Sequence, residues 1–177
     1  DAVPKAPYVL VIDQTRGDAS ITFGGANEAT FKEMLVFART EHPGTRVVIK
    51  AHPETLAGQR PGHFSAEDAG GPVELLDRAV SPWRLFEGAT AVYTVSSQLG
   101  FEAILAGHRP RVFGQPFYAG WGLTKDTQTA PDRRGPATLE QLVHAALIRY
   151  CRNIDPATGQ EITAEQQLRA MQALRSP

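Results

Sequence analysis

Apolar and polar positions fall into blocks with two different periods. Tyr8 to Asp13 (YVLVID), Arg46 to Lys50 (RVVIK) and Ala89 to Val95 (ATAVYTV) are short runs rich in apolar, β-branched and aromatic residues. Such runs predict strands buried on both faces of a parallel sheet. Between the first two, Phe31, Met34, Leu35 and Ala38 recur at three- and four-residue spacing. That period predicts a helix over 27–40, capped by Asn27 and ended by His42-Pro-Gly44. Strand, helix and strand in succession form a βαβ unit.

The same reading extends along the chain. Gln14 to Ser20 is polar and turn-forming, and Leu56 to Gly71, rich in glycine and polar residues, is expected to be an exposed excursion. Short strands are expected at Val73 to Leu76 and Arg111 to Phe113. Ser81-Pro82 opens a short helix, Ser97 to Ala106 forms another stopped by Gly107, and Thr138 with Gln141 makes a capping box for a helix running to Tyr150. A last helix is expected over 163–174. The alternation predicts an α/β fold: a Rossmann-like, mostly parallel sheet with helices on both faces, in one domain over 1–177.

Composition narrows the class without identifying it. The chain has 177 residues, 42% hydrophobic and 21% charged, with a net charge of -1, so it carries no overall electrostatic footprint for nucleic acid. Its single cysteine, Cys151, excludes an internal disulfide, fits a reducing compartment and reads as a half-buried helix residue. No run has the length of a membrane span and no signal peptide is recognisable. The chain begins at Asp1, with its first strand only a few residues later, a start expected of a piece of a longer protein. No G-x-G-x-x-G follows the first strand, and neither a P-loop nor G-x-S-x-G occurs. The five histidines show no paired metal-ligand spacing, so no metal is expected and most of them should face solvent or lie in loops.

Chemistry-bearing residues follow three of the strands. Asp13 ends the first, His52-Pro53 follows the second, and Ser96-Ser97 follows the strand containing Tyr93. In a parallel sheet all of them belong to the carboxyl edge, where such folds bind ligands. The helix opening near Ser97 offers backbone N–H groups and a positive dipole end, which favour phosphate. Lys50 and His52 can bring a cationic or hydrogen-bonding partner to the same anion, and Glu102, further along that helix, can pair with two vicinal hydroxyls. Each also has a plain structural reading: His-Pro as a turn, Ser97 as a helix cap, Lys50 as a strand-end residue, Glu102 as a solvated helix position. The most distinctive stretch is Phe113 to Thr124 (FGQPFYAGWGLT). Its aromatics and glycines suit a shaped loop, with Gln115, Pro116, Phe117, Tyr118 and Trp121 reaching toward a cleft or interface.

Lys50-Ala-His-Pro53, Thr94-Val-Ser-Ser-Gln-Leu-Gly-Phe-Glu102 and the run from Phe113 to Asp126, with Asp13 to Asp18, resemble the capsule polysaccharide biosynthesis and export family. The resemblance covers about Val9 to Tyr150, and that family includes the β-Kdo transferases of bacterial capsule assembly. It implies the C-terminal, donor-binding half of a GT-B glycosyltransferase that takes Kdo from CMP-Kdo. No cofactor or metal is implied. A missing N-terminal GT-B domain, a glycolipid or polysaccharide acceptor and the capsule assembly and export machinery are the implied partners. The implied location is the cytoplasm, peripheral at the inner face of the inner membrane. By similarity to GT-B sialyltransferases, which also use a CMP-sugar, His52 is the catalytic residue that stabilises the departing phosphate. Ser96 and Ser97 would bind that phosphate, with Glu102 on the ribose and Asp13, Lys50 and Pro53 beside them. The partner domain's catalytic carboxylate has no counterpart here, so the fragment alone is expected to be inactive. A non-catalytic nucleotide-sugar-binding or scaffold domain, and a GT-B-like sugar-nucleotide epimerase preferring a uracil nucleotide, remain as alternatives.

Overall fold

A computed structural model describes residues 3–173. They fall into two compact units, one ending at Ala137 and one beginning at Thr138, where the sequence pattern had suggested a single domain.

The first unit is organised by a six-stranded sheet. Its strands are β1 (Tyr8–Ile12), β2 (Val47–Lys50), β3 (Val73–Leu76), β4 (Ala89–Thr94), β5 (Arg111–Val112) and β6 (Lys125–Asp126). Their order is β3-β2-β1-β4-β5-β6, and every pairing is parallel. The chain winds outward from β1 in one direction, then returns to β4 on its other side. This reversal leaves a crevice beyond the carboxyl ends of β1 and β4, since connections on the two sides lead away in opposite directions. Pairing of Ile12 with Lys50 and of Val11 with Tyr93 brings the ends of β1, β2 and β4 level.

Alternation along the strands builds two cores. Val9, Val11, Val47 and Ile49 face one way and pack with Phe31, Met34 and Ala38, which lie on one side of α2 (Glu28–Thr40). Leu10, Ile12 and Val48 face the other way and pack with Leu85, Phe86 and Ala103, from α4 (Pro82–Gly88) and α5 (Gln98–Leu105). β1 is buried along its whole length because helices cover both faces. Full burial of each such aliphatic side chain contributes about 1.5–3 kcal/mol. The α2 terminus is fixed by a reciprocal capping box between Asn27 and Thr30.

Beyond β6, which the sequence pattern did not anticipate, the segments that follow β1 and β2 also depart from the sequence expectation. The polar stretch after β1 contains a helix, α1 (Ala19–Phe23), capped by Asp18 and with Ile21 as its one buried residue. One buried residue in five positions leaves no helical period to read. The excursion from Leu56 to Gly71 is not wholly exposed, because His63 and Phe64 are buried. Asp13 draws them in by accepting from both of their backbone N–H groups, and the His63 ring stacks on Phe31 at 3.7 Å with planes 2° apart. His63 is thus an exception to the expected solvent-facing histidines.

The second unit opens with α6 (Leu139–Val143), held by the capping box of Thr138 and Gln141. The helix continues as a π-helical segment over His144–Arg149. A small antiparallel hairpin of β7 (Asn153–Ile154) and β8 (Glu161–Ile162) precedes α7 (Ala164–Ala173). The expected end of that helix at Leu174 lies outside the described residues. Cys151 is exposed beyond the π-helical segment rather than half-buried on a helix. No described helix is long and apolar enough to cross a membrane.

Candidate functional site

A cleft of about 640 Å³ lies at the carboxyl edge of the sheet, at the crevice between β1 and β4. Asp13, Lys50, His52, Pro53, Ser96, Ser97 and Glu102 all line it. These residues come from three segments separated by 30 positions or more and meet because the parallel register ends their strands together.

Each side chain is held in a particular way. Ser97 caps α5: its Oγ accepts from the Leu99 N–H at 3.3 Å. The hydroxyl proton then remains available to a ligand. His52 caps the single-turn helix α3 (Pro53–Leu56), with Nδ1 accepting from the Glu54 N–H at 3.2 Å. An acceptor role at Nδ1 places the proton of a neutral imidazole on Nε2, making that nitrogen a donor. Pro53 occupies the first helical position, where its missing N–H costs nothing.

Ser96 has a different commitment. Its backbone N–H donates to Gln14 Oε1 at 2.9 Å, while Gln14 Nε2 donates to Ser96 Oγ at 3.1 Å. Ser20 Oγ lies 3.0 Å from Ser96 Oγ, and Asp18 Oδ2 accepts from Gln14 Nε2 at 3.3 Å. Gln14 is almost wholly buried and ties the end of β1 to the turn after β4. Gln14, Asp18 and Ser20 all line the cleft; the sequence pattern placed Gln14 in the polar motif that ends the first strand but gave none of the three a role at the site. The available signal was the position of Gln14, one residue beyond a buried strand on the edge that carries the site.

Burial sets the charges. Asp13 is pushed up to about 6 by burial, against the pull of hydrogen bonds from the N–H groups of His63, Gln14 and Phe64. The Asp13 carboxylate therefore serves as a clamp on the excursion as well as part of the cleft floor. Lys50 is buried, and desolvation lowers its pKa while the carboxylate of Glu102 opposes the shift. Glu102 is raised by burial, with Lys50 pulling it back. Burial also acts to raise Asp18, but hydrogen bonds from Ser20 and Gln14 outweigh it and hold the carboxyl below the usual range. Among the described residues no group of three His, Cys, Asp or Glu side chains could hold a metal ion.

The aromatic loop divides its labour. Phe117 is 45% exposed and lines the cleft. Tyr118, expected at the cleft, is instead fully buried and donates its hydroxyl to the Ser97 carbonyl at 2.5 Å. It packs directly over Gly100, where an added Cβ would come within 2.2 Å of the tyrosine oxygen. Glycine at that point of α5 is what lets the ring reach the helix start. Trp121 is half-buried, its indole N–H bonded to the Phe117 carbonyl at 2.7 Å and the Arg134 guanidinium 5.8 Å from its ring. Gln115 and Pro116 hold the loop's base, through Gln115 Nε2 to the Thr129 carbonyl and Arg134 to the Pro116 carbonyl.

Comparison with known proteins agrees with this architecture. The family model described as capsule polysaccharide biosynthesis protein matches residues 2–153. The capsule polysaccharide modification protein LipA of Neisseria meningitidis serogroup A is 39% identical over 162 residues, covering 88% of this chain and 23% of LipA. Among solved structures, the β-Kdo 2,4 transferase of Thermosulfurimonas dismutans KpsC superposes with a TM-score of 0.87 at 38% identity, over 96% of this chain and 53% of that one. The β-Kdo 2,7 transferase of the same KpsC gives 0.74 at 28% identity, over 97% and 55%. The chain thus spans under a quarter of LipA and about half of each solved transferase.

Proposed function

The chain belongs to the capsule polysaccharide biosynthesis family, and from that premise we propose that it is the donor-binding half of a glycosyltransferase moving Kdo from CMP-Kdo to a growing capsule glycolipid or polysaccharide. The observation that carries this reading is the pairing of two uncommitted donors on one cleft: the Ser97 hydroxyl proton and the Nε2–H of His52.

Breaking the bond between the sugar and CMP leaves negative charge on the departing phosphate. Donors already fixed toward that charge stabilise the transition state without reorganising. In this reading Ser97 and the start of α5 bind the phosphate, and His52 Nε2–H strengthens its bond as the charge grows. Ser96 orients the turn through Gln14 and holds Ser97 at the helix start. Glu102 accepts from the ribose hydroxyls, and Lys50, made less costly to keep protonated by an incoming anion, adds electrostatic support. The acceptor and the carboxylate that activates it would come from a second domain across the cleft, of the kind the neighbouring half of a GT-B transferase supplies.

Calorimetric titration of the chain with CMP, CMP-Kdo and UDP tests the reading. CMP and CMP-Kdo should bind and UDP should not. Ser97→Ala should weaken CMP by about 1 kcal/mol, or up to about 3 if its hydroxyl meets a charged phosphate oxygen. Preference for UDP would favour an epimerase instead, and no binding of either nucleotide at millimolar concentration would remove the donor assignment.

A further inference from the structure

At the opposite edge of the same sheet, the starts of β4, β5 and β6 surround a second cavity of about 420 Å³. Its charge is one-sided: Arg109, Arg111 and Lys125 line it against a single carboxylate, Glu41. That carboxylate is already used twice. Glu41 Oε1 pairs with Arg111 at 3.2 Å, and Oε2 accepts the Tyr93 hydroxyl at 2.5 Å. Because Tyr93 gives its only proton to Glu41, its oxygen takes one from His42 Nε2, 3.1 Å away. This relay fixes the wall of the cavity and engages both oxygens of its carboxylate.

The remaining donors point to a ligand. Arg109 is steadied by one bond, from Nε to the Thr124 carbonyl at 3.3 Å. Among the described residues its terminal nitrogens have no carboxylate partner, and neither does Lys125. Arg111 Nε is cut off from solvent and has no hydrogen-bond partner among the described residues. That nitrogen lies beyond a ligand's reach, so the donors open to an anion in the cavity are the terminal nitrogens of Arg109 and the ammonium of Lys125. Three converging cations less one engaged carboxylate leave a surplus matching a dianion better than a monoanion. A single carboxylate would be served by one guanidinium fork, while a phosphate offers oxygens to several donors at once.

We propose that this amino-edge cavity is a phosphate-binding site, separate from the cleft at the carboxyl edge, for the phosphoryl group of a soluble phosphate ester or of a lipid headgroup. Amide NMR of the chain titrated with inorganic phosphate tests it directly. Saturable shifts are expected at Gly107, His108, Arg109, Arg111, Lys125 and Tyr93. Arg109→Glu with Lys125→Glu should weaken phosphate at these positions at least about tenfold, a loss of about 1.4 kcal/mol, while the amide peaks of β1 and α2 stay in place and report an intact fold. Should charge reversal unfold the chain, Arg109→Gln with Lys125→Gln provides the same comparison. Shifts that grow linearly without saturating, or that survive both substitutions, overturn the proposal. Sedimentation with phosphatidylglycerol vesicles, against phosphatidylcholine vesicles, separates the sources. Capture by the anionic vesicles that is lost in the double variant identifies a headgroup, and saturable phosphate binding without capture identifies a soluble ester.

Discussion

The two edges of the central sheet share β4 but differ in how they handle charge. At the carboxyl edge the groups facing the cleft include hydrogen-bonding amides, hydroxyls and an imidazole; Asp13 and Lys50 are buried and shifted toward neutrality, and hydrogen bonds hold the Asp18 carboxyl below the usual range. At the amino edge, two guanidinium groups and an ammonium group surround a cavity with one committed carboxylate. Permanent charge suits an anion that is held unchanged. Neutral, preoriented donors suit an anion whose charge increases during reaction, because they strengthen with that charge without the desolvation cost of an unpaired buried cation.

The largest expected effect breaks the carboxyl edge chemically. In the chain joined to its acceptor domain, His52→Ala should lower kcat by about 10²–10³, or roughly 3–4 kcal/mol, by analogy with loss of one charge-stabilising donor. CMP affinity should change far less. Initial rates with CMP-Kdo, beside calorimetry with CMP, make the measurement, and a rate loss below about tenfold would remove His52 from the transition state.

The next breaks it structurally. Gly100→Ala should destabilise the first unit by about 3 kcal/mol, at the upper end for forced overpacking, since the new Cβ meets Tyr118 at 2.2 Å and Thr94 at 2.8 Å. Thermal melts report the cost, and a melt like that of the parent chain would show that Tyr118 can move away without consequence.

A pH experiment sharpens the contrast in buried charge. Asp13 has a folded pKa of about 6 against an ordinary carboxyl value of 3.8, so between these pH values the folded state binds more protons than the unfolded one. The stability contributed is complete below the unfolded value and disappears as pH rises through about 6, amounting to up to about 3 kcal/mol. Asp13→Asn should remove this component, so its deficit relative to the parent should shrink as pH rises from about 4 to about 7. Denaturant titrations across that range test the sign. A deficit that widens would mean that the three backbone N–H bonds outweigh burial.

A smaller contrast separates neighbouring residues. Ser96→Ala should cost about 1 kcal/mol of stability through its lost bond with Gln14, whereas Ser97→Ala should act chiefly on CMP affinity. The smallest effect concerns the amino edge: exchanging the exposed Lys125 for Gln should change the melting free energy by no more than about 0.5 kcal/mol. A larger loss in melts of that variant would make Lys125 part of the fold instead of a ligand site.

Much of the architecture was legible because local patterns and tertiary requirements agreed. Buried runs such as YVLVID can satisfy themselves only between two layers, Asn27 and Thr138 are placed where orphan helix N–H groups need acceptors, and βαβ succession puts strand-end residues on one edge. The edge carrying Asp13, His52 and Ser97 could therefore be located before any coordinates. The five-residue α1 was hidden because one buried position makes no period, and the excursion was misjudged because its anchor, Asp13, lies 50 residues before His63 in the chain.

By itself the sequence determined the principal strands and helices, the family, and most of the residues that share the ligand edge, since each depends on spacing or on short contiguous motifs. Only the tertiary structure decided which of those residues are already occupied. Gln14 meets Ser96 across 82 positions, Tyr118 turns inward over Gly100 while Phe117 turns toward the cleft, and Arg109, Arg111 and Lys125 converge only when β4, β5 and β6 lie side by side. A side chain's type announces the bonds it can make. Which bonds are left for a ligand depends on the partners that folding brings within about 3 Å of it.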